Sequence, residues 1–342
     1  MSFISNQRNI SINLEQIYLK IGSSWTLDSI YIFAIAPLGF FGVLSNIISA
    51  FIFFKIENSN FNIYLRAYSI NGCFICFIGG ILFIGYSPRY IPFFLDSFAQ
   101  IIRCKLFTFV GPSLYMFGNI LDIFISLERL SAVFHLANRI TKLAKPTSVC
   151  LTFLIFSFLV NLPSYFVFKL RTNDEFIEDY FVYNVTFTYC GHTDFQYLLF
   201  SYPLFIVYII VMFFRDILTL ILEIIASSVC IHHYRKYEKL VRRIVRSGQT
   251  MNSTNNHIQR VEVGGKKLLK MTIWMGVLSI ISHLIVFFTY LFPMISSYLL
   301  NSFINFYLIC ASIFLFGLKH VSNFLLFYLF NTNFRSEIKK LF

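Results

Sequence analysis

"CKLFTFVGPSLYMFGNILDIFISLER", Cys104 to Arg129, holds two acids and two basic residues among otherwise apolar and small polar ones. Its length decides the fold. Twenty-five helical steps of 1.5 Å span ~37 Å, one bilayer with its headgroups. Cys104 then stands at one membrane surface and Glu128-Arg129 at the other, where the charged pair reaches water. Asp122 is left inside, two helical turns before Arg129 and on the same face.

Six more apolar runs of this kind follow or precede it, giving spans at roughly 30–54, 61–84, 101–134, 149–168, 205–231, 268–292 and 298–330. Lipid cannot hydrogen-bond a backbone, so spanning segments are helices or closed barrels. Barrel strands alternate polar and apolar residues, and these runs do not. The composition agrees: 57% of residues are hydrophobic and 13% charged, against about a quarter charged in soluble domains. The predicted fold is an all-α membrane protein, a seven-transmembrane helix bundle. Residues 1–29 form an extracellular tail, 30–330 the bundle, and 331–342 a short amphipathic cytoplasmic helix 8 and tail. Residues 1–29 lack the compact apolar core of a cleaved signal peptide, so the first helix serves as targeting signal. The fifth run extends back toward Tyr197 and is interrupted by Arg215-Asp216. With no Gly or Pro near Arg215 to turn the chain, it is read as one span.

Basic residues favour the cytoplasmic side. Loop 231–270 is net +8, loop 135–146 adds Arg139, Lys142 and Lys145, and tail 331–342 is net +2, whereas loop 169–196 is net −3. The N-terminus is therefore placed outside and the C-terminus inside. The overall charge of +12 is mostly a cytoplasmic face, not a nucleic-acid surface; no nucleic acid is expected as a partner. Sequons at Asn9 and Asn184 fall on the outer side, so both are candidate glycosylation sites. A third, at Asn252, falls inside. Cys104 and Cys190 both lie in the oxidising outer compartment and form the expected disulfide. The other five cysteines lie within helices, as small core residues do, and none has metal-ligand spacing.

In order, spacing and topology together, the chain resembles the rhodopsin-like (class A) G-protein-coupled receptors, over about residues 30–342. In that family the third helix opens with a cysteine and closes with Asp/Glu-Arg-Tyr; here it closes with Glu128-Arg129-Leu130. "GVLSN" supplies the first-helix Asn46, and "LRAYSIN" offers Asn71 in place of the usual second-helix Asp. Asn323-Phe-Leu-Leu-Phe327 stands for Asn-Pro-x-x-Tyr, followed seven residues on by Phe334-Arg335. The sixth helix lacks the Cys-Trp-x-Pro bend, with Ser282 where the proline would fall; Trp274 reads as a packing or interface aromatic. The resemblance is to a divergent, invertebrate-type receptor for peptides or chemical stimuli. It implies Glu128, Arg129, Asn323 and Phe327 as the coupling switch, and heterotrimeric G proteins and arrestin as partners. No enzyme activity, cofactor or metal is expected.

Ionisable residues inside membrane helices are costly and face the bundle interior. Here they are Asp122, Arg215, Asp216, Glu223, His283, Lys319 and His320. Lys319, one turn before Asn323, is expected to pair with Asp122 or with Glu223, joining Asn46 and Asn71 in a polar core. Lys319 stands four residues before that Asn and not the six of the opsins, which turns its amine away by about 200° and disfavours an opsin. Amine receptors carry an acid eighteen residues before the motif Arg; that position is Gly111, so amines are disfavoured. Gly111, Tyr115, Asp216 and His283 are the candidate ligand pocket. The acidic stretch 174–179 would attract a basic peptide. A neuropeptide is the first ligand expected, and a chemosensory small molecule the second. A seven-helix transporter or channel would carry internal repeats or paired broken helices, and neither is found. A membrane metallohydrolase is disfavoured by the spacing of His232-His233, His283 and His320.

Overall fold

The computed structural model describes residues 31–56, 59–81, 105–134, 145–172, 188–192, 210–211, 213–246, 267, 270–271, 273–284 and 302–341. A helix stands in each of the seven apolar runs. α1 opens with a wide turn over Tyr31–Ile35 and continues as Ala36–Lys55, with Pro37 in its first α-helical turn. There a missing N–H costs nothing. α2 covers Asn60–Cys76 and ends in a wide turn, Phe77–Ile81. Ser59 caps it, its hydroxyl accepting from the Asn62 N–H at 3.3 Å.

α3 begins with a wide turn over Leu106–Val110 and runs as Gly111–Phe134. Pro112 has no N–H to continue the usual ladder. Just before it, the Gly111 N–H reaches back to the Leu106 carbonyl, a π-type closure. α4 is Pro146–Val167. The chain then leaves the helices for an antiparallel pair, β1 (Phe168–Thr172) and β2 (Thr188–His192), with Leu170 opposite Cys190. Loop 169–196 thus contains a strand hairpin, a local exception to the all-helical expectation. α5 is Phe213–Leu218 followed by Thr219–Arg246, continuous through Arg215 as the missing turn signals require. At about 51 Å it outruns the bilayer, and its excess is the basic end. α6 is described over Ile273–Leu284, α7 is Ser302–Phe330, and α8 is Thr332–Lys339, capped by the Asn331 side chain on the Phe334 N–H.

Among the described residues, Phe33–Lys55, Asn60–Gly80 and Pro146–Pro163 are long and apolar enough to cross a membrane. Phe33, Phe40, Phe41, Phe51, Phe54, Leu151, Phe156, Leu159 and Trp274 are exposed. Such a belt suits lipid and would be a liability in water. α3 is the hub, packing against α2, α4 and α5, while α1 packs on α2, α7 and α8. The largest apolar cluster gathers Ile52, Phe53, Leu65, Tyr68, Leu121, Ile125, Met271, Phe327 and Phe334.

Helices approach this closely because glycines admit them. A Cβ on Gly39 would lie 2.3 Å from the Gly80 Cα, so α1 and α2 meet backbone to backbone. A Cβ on Gly276 would lie 2.4 Å from the Ser227 hydroxyl, which sets the α5–α6 separation at that level.

Candidate functional site

Polar side chains occupy the bundle interior in layers. Asn46 donates to the Gly42 carbonyl at 2.8 Å and across to the His320 carbonyl of α7 at 3.3 Å. It sits in a notch left by Gly72, where a Cβ would stand 2.7 Å from its Oδ1. Asn71 repeats the device one helix on. It donates to the Leu114 carbonyl at 3.0 Å and fills the notch at Gly118. These amides tie α1 to α7 and α2 to α3.

At the centre, the Lys319 ammonium lies 2.8 Å from Asp122 Oδ2. Both side chains are at most 5% exposed. Ser279 of α6 serves both: it accepts from Lys319 at 2.6 Å and donates to Asp122 Oδ2 at 3.3 Å. Tyr68 of α2 donates to the same carboxylate oxygen at 3.4 Å, and Asn323 donates to the Tyr68 hydroxyl at 3.3 Å. Four helices therefore meet on one ion pair. Burying a charge in hydrocarbon is tolerable only when it is paired and hydrogen-bonded, as here. Of the two acids considered for Lys319, the structure brings it to Asp122.

Glu223 is engaged elsewhere. Its Oε2 lies 3.0 Å from His283 Nδ1 of α6, with both side chains 2% exposed. The Tyr115 ring and the imidazole pack edge to face, with centroids 5.1 Å apart at 78°. Of the four pocket candidates, the structure joins Tyr115 and His283. Gly111 lies at the π-type turn of α3, against the Leu106 carbonyl. Asp216 lies in α5, its side chain outside the described residues. Glu223 was not among the pocket candidates, and only its place in an apolar stretch could have flagged it.

At the α7–α8 corner, Phe327 is fully buried between Phe53 and Phe334, with centroids at 5.1 and 5.7 Å. Arg335 donates to the carbonyls of Tyr328 (3.0 Å) and Leu329 (2.5 Å), two of the last of α7. The Asn323–Phe327–Phe334 series thus forms a continuous column from polar core to α8. Glu128 is half-buried at the far end of α3. The Arg129 side chain lies outside the described residues. The same holds for Cys104 and with it the Cys104–Cys190 bridge, and for Asn9 and Asn184. Among the described residues no group of three His, Cys, Asp or Glu could hold a metal ion.

The arrangement joins helices through a few buried charged and polar side chains. No curated protein matches the chain. Residues 37–247 match the family model described as serpentine type 7TM GPCR chemoreceptor Srx. More than half of the chain is covered, and the protein belongs to that family: a multi-pass membrane receptor that takes an extracellular ligand and works through G proteins.

Proposed function

We propose that the protein is a chemosensory receptor in which a small extracellular molecule biases the buried polar core and so opens the cytoplasmic helix ends to a heterotrimeric G protein. The observation that carries this is the Asp122–Lys319–Ser279 contact, which joins α3, α6 and α7 at a single point. A ligand acts only through its unequal affinity for two states. A three-helix ion-pair junction supplies two discrete states, closed with the pair intact and open with α6 withdrawn from it.

The N-terminus is taken as outside, from the basic loops. In that orientation Tyr115, His283 and Glu223 form the layer nearer the ligand, Asp122 and Lys319 the next, and Tyr68 with Asn323 the innermost. Asn323 and Phe327 pass the change to α8. Glu128 and Arg129 are the rhodopsin-like coupling pair, with Arg129 meeting the G protein on opening and arrestin a further partner. The match to a chemoreceptor family moves a small chemical stimulus ahead of the neuropeptide that the acidic loop first suggested.

Exchanging the charges tests the junction. Asp122→Lys and Lys319→Asp should each reduce surface expression, and the double exchange should recover a substantial part of it. Failure of the double variant to exceed either single one would sink the junction. Arg129→Ala should abolish ligand-driven G-protein activation at unchanged surface level; unchanged activation would remove Arg129 from the mechanism.

A further inference from the structure

In the layer above the ion pair, the buried Glu223 Oε1 and His283 Nε2 have no hydrogen-bond partner. They belong to side chains only 2% exposed that are already joined through their other atoms at 3.0 Å. With Nδ1–H donated to Glu223 Oε2, Nε2 presents a lone pair. The two free atoms are then both acceptors, on adjoining residues of α5 and α6.

Charge points the same way. The Asp122 carboxylate is paired directly with the Lys319 ammonium, while the contact that Glu223 makes at ion-pair distance is an imidazole. An uncompensated carboxylate at membrane depth is among the costlier things a bundle can hold. Three deficits thus coincide: one negative charge, one bare carboxylate oxygen and one bare imidazole nitrogen. A proton on His283 would remedy the charge alone, turning Nε2 into a donor with no acceptor. A metal ion would find two ligands, short of the usual four. An ammonium group answers all three, since it carries positive charge and up to three donors. Tyr115, packed against the imidazole, adds an aromatic wall that attracts a cation.

We infer that Glu223 and His283 form the anchor for a small primary amine, the cationic head of the ligand lying between α5 and α6 beside Tyr115. The inference rests on the protein being a small-molecule receptor. It also revises the expectation drawn from Gly111: the acid an amine needs is absent from that position of α3 but present on α5.

The test uses full-length receptor and two matched probe pairs, 2-phenylethylamine with 2-phenylethanol and isoamylamine with isoamyl alcohol. In purified receptor, at least one amine should raise the melting temperature while its alcohol does not. Glu223→Gln should abolish that shift, and Glu223→Asp should weaken the amine at least tenfold. Equal effects of amine and alcohol, no shift with either amine, or a shift that survives Glu223→Gln each overturn the inference. Acidification that stabilises the wild type as much as the amine, through Glu223, would make a proton the occupant and overturn it too. The wild-type comparison of amine with alcohol stands even if a variant fails to fold. A G-protein sensor in cells separates this from the broader reading. Alcohols signalling without amines would spare the receptor and remove the anchor, whereas amine binding without G-protein activation would do the reverse.

Discussion

Asp122 and Glu223 are acids in neighbouring layers of the same bundle, both almost fully buried, and their surroundings differ sharply. Asp122 Oδ2 gathers an ammonium and two hydroxyls from α7, α6 and α2. Glu223 has one imidazole, and its second oxygen is bare. A satisfied buried pair holds its helices in one arrangement, because parting them strands two charges. A half-satisfied pair is poised to accept something else. The contrast divides the core into a layer that locks and a layer that receives.

The steepest loss is expected from Lys319→Met, which strands Asp122 and should cost ~3–5 kcal/mol, the usual effect of breaking a buried pair. Surface expression should fall severely, and Asp122→Asn in the same chain should restore much of it. If Lys319→Met were harmless, the locking layer would not lock. Gly276→Val comes next: its Cβ would collide with the Ser227 hydroxyl and push α6 from α5, with overpacking of about 1–3 kcal/mol. Ligand response should suffer more than surface level, and equal loss of both would mean the two layers cannot be separated. Tyr68→Phe removes two long hydrogen bonds, to Asp122 at 3.4 Å and from Asn323 at 3.3 Å, and should cost about 1–2 kcal/mol. Its signature is raised basal signalling at near-normal surface level, measured with a G-protein sensor. Glu223→Gln should leave stability unchanged or raise it, because it weakens one hydrogen bond worth about 1 kcal/mol while removing a costly buried charge. A melting temperature as low as that of Lys319→Met would erase the contrast.

Much of the architecture is legible along the chain, because lipid leaves few options. Apolar length requires helices, the absence of Gly and Pro near Arg215 keeps α5 unbroken, and the basic loops suggest which end is inside. Inward-facing charges are legible too, since no other place in a span suits Asp122, Glu223, His283 and Lys319. The partner of each is not. Lys319 could have met either acid, and the choice depends on the depth and rotation of α3, α5 and α7 relative to one another. Single-helix periodicity gives each inward face without those offsets. The Gly72 and Gly118 notches that seat Asn46 and Asn71 escape notice for the same reason, as each glycine serves a side chain on another helix. The hairpin after α4 escapes because its two strands are joined across a long loop.

Composition and spacing alone therefore settle a seven-helix membrane bundle with charges in its interior, because hydrocarbon penalises unpaired backbone. Packing decides that one acid is neutralised and the other left with an open oxygen. That outcome is a matter of a few ångströms between helices, set by glycines and side-chain shapes that act across the bundle.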